Sequence, residues 1–260
     1  MKLNSFIKLI EEIAPLKLQE EWDNSGIQVR SKDIVKRVLV CLDVTDEIID
    51  EAIDLECDMI LTHHPLLFNS LSSVDSKKIT GNYVAKLIKN NISVYSSHTP
   101  FDKCKGGNND YLAKLLGLTN VKPMSGDESH FTRIGKLKEE AKIKDIIDLA
   151  DSKLGINKSF IKLVGNPDKK IKKIGLCTGA GADFIDLAIK NKCDLYITGD
   201  VKYHEAMDAK ANGIQVLDLG HYGTEYLFKE NMTKLLLDTK AKNLPELVMS
   251  RVNANPFSEF

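Results

Sequence analysis

Phe6, Ile7, Leu9, Ile10 and Ile13 recur at helical spacing before the chain meets Pro15, which predicts a short amphipathic helix ended by the proline. Beyond it, β-branched runs alternate with amphipathic ones. Residues 35–42 predict a strand, 46–55 a helix and 58–61 a second strand, followed by a loop that carries Thr62-His63-His64-Pro65. Alternation of this kind predicts an α/β protein.

The pattern then repeats. Residues 35–64 align without a gap on residues 171–200. Lys36, Cys41, Ile49, Asp50, Ala52, Ile53, Cys57, Asp58 and Thr62 recur as Lys172, Cys177, Ile185, Asp186, Ala188, Ile189, Cys193, Asp194 and Thr198. Two strand–helix–strand units of similar composition would share apolar positions by chance. Cysteine, aspartate and threonine recurring in register point instead to an internal duplication. Each copy runs on through a helix into a further strand and a polar turn, residues 92–102 in the first and 214–225 in the second. With one residue slipped, His98-x-x-x-Asp102 matches His221-x-x-x-Glu225, and a helix over 226–237 is expected next. Between the copies, a polar link at 123–129, strand-like 131–137, helical 143–154 and strand-like 160–164 read as the opening of a second lobe. The expected organisation is two α/β lobes, 1–122 and 123–260, with the end of the chain packing back on the first.

Composition narrows the partners. Lys and Arg total 36 against 37 Asp and Glu, a formal net charge of -1, so no electrostatic excess favours nucleic acid or an anionic membrane. The five cysteines are odd in number and form no C-x-x-C pair, which argues against a disulfide framework and a zinc ribbon and fits a reducing compartment. The amino terminus lacks a continuous apolar core of signal-peptide length, and no stretch is apolar enough to span a bilayer. The expectation is a soluble cytoplasmic protein.

The candidate chemistry sits where the two copies end their strands. Of the six histidines, His63, His64, His98 and His221 fall at predicted strand ends, where the loops of an open α/β sheet present ligand-binding groups. Successive side chains on a strand point to opposite faces, so His63 and His64 could serve one site only if Pro65 released them into a loop. There each imidazole could coordinate its own ion of a close pair. Asp102 and Glu225, on equivalent turns, offer carboxylates able to bridge two ions, and His221 completes the set. This nitrogen-and-oxygen donor set fits Zn, Fe, Mn, Co or Ni without selecting among them. Two such ions lie roughly 3.5–4 Å apart and activate water for hydrolysis near neutral pH.

The bland alternatives are a satisfied His-His turn, turn chemistry at Asp102, and a carboxylate at Glu225 favouring the positive end of a following helix. His98 is open between ligand, orienting partner and proton carrier, with the last two favoured. In the second copy Asp200 replaces His64 and His204 follows one helical turn later, so both are candidates to face the metals, Asp200 equally as a helix N-cap. Gly179-Ala180-Gly181 lacks the third glycine of a dinucleotide fingerprint, because Asp183 and Phe184 follow.

Taken together, Trp22-Asp23-Asn24-Ser25-Gly26, Thr62-His63-His64-Pro65, His98-Thr99-Pro100-Phe101-Asp102, Gly179-Ala180-Gly181, Thr198-Gly199-Asp200 and Gly220-His221-Tyr222-Gly223-Thr224-Glu225 resemble the Nif-three-like family, the GTP cyclohydrolase 1 type 2 homologues. The resemblance covers essentially the whole chain, in order. It implies an internally duplicated two-lobe α/β fold with mixed sheets flanked by helices. It also implies two divalent ions per chain (Zn, Fe or Mn) on His63, His64, Asp102, His221 and Glu225, and a homohexameric ring whose sites face an internal cavity. The implied activity is hydrolytic ring opening of GTP or a related nucleotide, with His98, His204 and Asp200 as candidates for catalysis and Lys202, Lys103 and Arg133 for holding the substrate. The alternatives are a non-catalytic metal-binding assembly protein and a phosphoester hydrolase.

Overall fold

The amphipathic start of the chain forms helix α1 (Leu3–Ile13), which buries Leu3, Phe6 and Ile10 on one face, each worth about 1.5–3 kcal/mol relative to exposure. The computed structural model describes residues 1–258. They form two compact units, residues 1–107 with 228–257, and residues 108–227. The boundary expected at 122/123 lies earlier in the structure, because Tyr111, Leu112, Ala113 and Leu116 already belong to the core of the second unit.

In the first unit α1 is followed by β1 (Gly26–Val29), β2 (Arg37–Cys41), α2 (Asp46–Asp54), β3 (Met59–Thr62), α3 (Ile79–Lys89), β4 (Ser93–Ser96) and the one-turn α4 (Thr99–Lys103). Helix α2 starts where the Thr45 hydroxyl accepts a hydrogen bond from the Ile48 amide, a cap worth about 1 kcal/mol. Strand β3 is buried along its whole length, as expected of a parallel strand covered on both faces.

The second unit contains α5 (Asn108–Leu115), β5 (Thr119–Lys122), β6 (Arg133–Lys142), α6 (Ile143–Leu154), β7 (Lys162–Val164), β8 (Lys170–Leu176), α7 (Ile185–Lys190), β9 (Leu195–Thr198), α8 (Tyr203–Ala211), β10 (Gln215–Asp218) and the one-turn α9 (His221–Glu225). The chain then returns to the first unit with α10 (Phe228–Asp238) and β11 (Glu246–Met249), and β11 pairs in parallel with β2. The first unit's sheet has the order β1-β4-β3-β2-β11, and the second unit's the order β5-β6-β8-β9-β10-β7.

The sequence repeat is a repeat of strand register. Val40 pairs with Leu61 in the first unit and their counterparts Leu176 and Ile197 pair in the second. The recurring aspartates are staples of this register. A carboxylate oxygen of Asp58 accepts from the amides of Lys36 and Arg37, and Asp194 does the same for Lys172 and Lys173. Of the recurring cysteines Cys41, Cys57 and Cys177 are buried and Cys193 half-buried against the core: burial pushes the Cys57 and Cys193 thiols up to about 11, so both stay protonated at neutral pH. The copies differ between their second and third strands. Met59 pairs with Ser93, whereas its counterpart Leu195 pairs with Gln215, so the first copy carries the longer connection. Much of the extra chain is the stretch 63–78, which has neither helix nor strand.

Two local expectations are corrected. The polar turns at 98–102 and 221–225 are helical, with Pro100 in the first turn of α4 and a His221–Glu225 pair one turn apart on α9. The helix expected over 226–237 begins at Phe228, because the chain changes unit there and Phe228 packs edge-on against Phe101. Among the described residues no helix is long and apolar enough to cross a membrane.

Candidate metal centre

In the first unit β2, β3 and β4 run parallel, so their carboxyl ends share one edge of the sheet. Asp43 follows β2, His63 and His64 follow β3, and His98 follows β4. The strand order thus gathers residues far apart in the chain. The Ser97 amide donates to the Thr62 carbonyl, and the Ser96 hydroxyl donates to the His63 carbonyl at 2.7 Å, fixing the backbone from which both imidazoles project. The rings of His63 and His64 lie 5.0 Å apart, tilted by 42°, rather than on opposite faces of a strand. His98 joins them, its ring 5.2 Å from His63 and 5.5 Å from His64. Ligand nitrogens of all three fall within 4.8 Å of one another, a spacing able to hold an ion.

Each ring is oriented through Nδ1. His63 Nδ1 lies 2.8 Å from the Ser97 carbonyl, His64 Nδ1 2.8 Å from Asp43 Oδ1, and His98 Nδ1 2.8 Å from Asp23 Oδ1. A carbonyl or an ionised carboxylate can only accept, so Nδ1 carries the proton and a neutral ring presents Nε2 as an electron pair. Histidines that bind metals are held this way. Asp23 is built for the task. Burial pushes its carboxyl up, but hydrogen bonds from His98, Thr99 and Ser25 and the charge of His98 hold it well below the usual carboxylate range.

His63 is fully buried and Asp102 is 5% exposed, yet His63 Nε2 faces Asp102 Oδ1 at 3.5 Å. With Nδ1 donating to Ser97 and the ring neutral, both facing atoms are acceptors. A cation resolves that opposition, and the donor chemistry therefore fits a divalent metal. Phe228, 5.0 Å from the His63 ring, closes the apolar side.

The second unit repeats the arrangement with different residues. His221 Nδ1 lies 2.8 Å from Asp200 Oδ2, and His221 Nε2 lies 2.9 Å from Glu225 Oε2. A neutral imidazole has one N–H for these two carboxylates, so a cation shared by Nε2 and Glu225 suits this pair as well. Asp200 adopts a left-handed backbone, φ 56°, a conformation that aspartate tolerates better than most residues. Gly179 gives Glu225 room: at φ +67° a Cβ there would stand 2.2 Å from Glu225 Oε1. Gly199 does the same for the His221 backbone, where a Cβ would come within 2.5 Å of the amide nitrogen. The Gly179 amide donates to the Thr224 hydroxyl, so the glycine turn is tied to the helix that carries His221 and Glu225.

The other candidates lie as follows. His204 is exposed on α8 with Tyr203 as a ring neighbour, and Lys202, two residues before it, pairs with Glu205. Among the described residues, neither His204 nor His130 takes part in a cluster of ligand atoms. Lys103 is ion-paired with Glu20, and Arg133, 4% exposed, is held by Asp110 and by the carbonyls of His130 and Thr132. Asp43 and Asp23 are site residues that the sequence reading missed. Asp43 follows a strand end as the histidines do, and Asp23 stands within a motif already singled out.

The sequence profile of the Duf34/NIF3 (NGG1p interacting factor 3) family matches residues 1–256. The chain is 38% identical over 263 residues to a protein of Clostridium perfringens named GTP cyclohydrolase 1 type 2 homolog, with 99% of each covered. Among solved structures, a Bacillus cereus protein related to NIF3 matches with a TM-score of 0.91 at 26% identity, covering 100% of this chain and 99% of that one. Reduced HcgD from Methanocaldococcus jannaschii matches with a TM-score of 0.81 at 28% identity, covering 97% and 98%.

Proposed function

Because the chain belongs to the Duf34/NIF3 family, we propose that it is a metal-dependent hydrolase of a small molecule, with two divalent ions held by His63, His64, Asp102, His221 and Glu225. Ring opening of GTP or a related nucleotide is the reaction that the name of the Clostridium perfringens relative favours. The observation that carries the metal reading is the buried opposition of His63 Nε2 and Asp102 Oδ1 at 3.5 Å, which a cation explains.

The bound ions would supply Lewis acidity and an activated water near neutral pH. The chain's own residues do the rest. Ser97, Asp43 and Asp200 hold the Nδ1 protons of His63, His64 and His221 and so aim each Nε2. His98 carries the proton to and from the substrate, because Asp23 fixes its Nδ1–H and leaves Nε2 to exchange. Among the described residues no carboxylate pairs with His204, so proton transfer falls to His98. A hexameric assembly and a cytoplasmic location belong to the same proposal.

The test is turnover. Protein reconstituted with Zn, Mn or Fe is assayed for formate released from GTP and for phosphate released from a panel of nucleotides. Formate release that is lost in Glu225→Ala supports ring opening, and phosphate release alone would move the reading to phosphoester hydrolysis. If no substrate turns over while Glu225→Ala loses both ions and assembly, the protein is a metal-binding assembly protein and the hydrolase reading fails.

A further inference from the structure

Trp22 is the chain's one tryptophan and is 56% exposed; Phe68 is 47% exposed, and their ring centroids lie 6.1 Å apart at a tilt of 45°. Single exposed apolar residues are ordinary, but two large aromatic rings in contact beside a cluster of histidines are not. Both rings meet His98, Trp22 at 5.8 Å and Phe68 at 6.3 Å, each nearly perpendicular to the imidazole. The tilt between them means that Phe68 does not cover the indole by parallel stacking.

The pair is also held in place. Trp22 precedes Asp23, whose buried carboxylate is bonded to His98, Thr99 and Ser25. Phe68 follows Leu67, whose carbonyl accepts from the Asn24 side chain and whose amide donates to Gln28 Oε1 at 3.1 Å. Gln28 in turn donates to the Asn24 carbonyl at 2.7 Å. Two segments distant in sequence are thus clamped together directly behind their aromatic side chains. Phe68 lies in the irregular stretch 63–78, within the connection that is longer in the first copy than in the second. Long connections without secondary structure of their own commonly carry function.

The geometry points to Trp22 and Phe68 as a stacking platform for a planar heteroaromatic ring, such as a nucleobase, that enters next to His98 and the metal-binding histidines. Aromatic faces attract any flat ring and discriminate weakly among bases. This recognition is of the ring rather than of an attached phosphate. The assignment rests on the hydrolase reading for what happens to the ring, whereas the stacking itself requires no ion.

That separation makes the test clean, because fluorescence excited at the red edge of indole absorption reports on Trp22 alone. Chelator-treated and metal-reconstituted protein is titrated with guanosine, adenosine and GTP, and with inorganic triphosphate and ribose as controls. Saturable quenching by the three ring compounds and none by the controls is expected. Phe68→Ala should raise the dissociation constants about tenfold, within the range of stacking losses on alanine substitution, while Phe68→Tyr keeps them and both variants retain their ions. Trp22→Leu, followed by calorimetry, should lose as much.

No saturable quenching, quenching by triphosphate equal to that by GTP, or a Phe68→Ala variant that binds guanosine as the parent does would each overturn the platform. A Trp22→Leu variant that changes oligomeric state without changing base affinity would overturn it too, making the patch a subunit interface. Bases that bind to a protein unable to take up ions leave the platform standing and refute the metal reading. Ions that bind where bases do not refute the platform alone.

Discussion

His63 Nε2 and Asp102 Oδ1 face each other at 3.5 Å, inside a buried environment, with the His63 proton committed to the Ser97 carbonyl on the opposite side of the ring. With the ring neutral these are two acceptors, and a cation between them relieves their opposition. Asp102→Asn replaces one acceptor by an amide able to donate to Nε2. Ion content should fall sharply, while the chelator-treated variant should be as stable as the parent or more so by about 1 kcal/mol in urea unfolding. A metal-free variant clearly less stable than its parent would show that the pair is an ordinary hydrogen bond.

The carboxylates behind the histidines should matter for affinity rather than for folding. Asp43 and Asp200 are both substantially exposed, so their removal leaves no buried group stranded. Asp43→Ala and Asp200→Ala should each weaken metal binding about 10- to 100-fold in competition with a chromogenic chelator, with unfolding midpoints unchanged.

Gly179→Ala tests how closely the glycine turn is fitted to its neighbour. The added methyl would stand 2.2 Å from Glu225 Oε1 on a backbone at φ +67°. The left-handed conformation costs about 1–2 kcal/mol for a residue with a Cβ, and the carboxylate, at the end of a flexible side chain, must move aside. Lowered ion content in a protein that still folds cooperatively is the expected outcome, read by metal analysis beside thermal unfolding.

A pH effect should arise away from the proposed metal ligands. Burial raises the Asp127 carboxyl, but hydrogen bonds from Ser129 and Thr132 and from the backbone of Thr132 and His130 outweigh it and hold the group below its usual range. A carboxyl lowered in the folded state contributes stability that is fully present above the unfolded value, about 3.9, and is lost as pH falls through the folded one. Asp127→Asn should therefore be less stable than the parent by about 1.5–3 kcal/mol at pH 7. The difference should shrink below about pH 4, as followed by urea unfolding across that range.

Much of this fold is legible in the hydrophobic pattern, since strong alternation places β2, α2, β3 and α6 close to their observed positions. The duplication is legible too, and for a reason that the structure supplies: Asp58 and Asp194 bind the same backbone amides in each copy, so neither can vary without loosening the sheet. The unit boundary is not legible, because Tyr111 and Leu112 carry the same apolar signature whichever core they enter. The polar stretches at 98–102 and 221–225 hide their helices, as a single turn is too short to show a period. The histidine cluster is visible in sequence through its strand ends. Its orienting carboxylates are not, because Asp43 and Asp23 act through contacts that only the folded chain makes.

Anomalous diffraction from crystals soaked with Zn or Mn, recorded at the absorption edge of the metal, tests the central claim most directly. Two peaks per chain are expected within coordinating distance of His63, His64, Asp102, His221 and Glu225, both absent from Asp102→Ala. A well-ordered structure with no peak at those residues would contradict it.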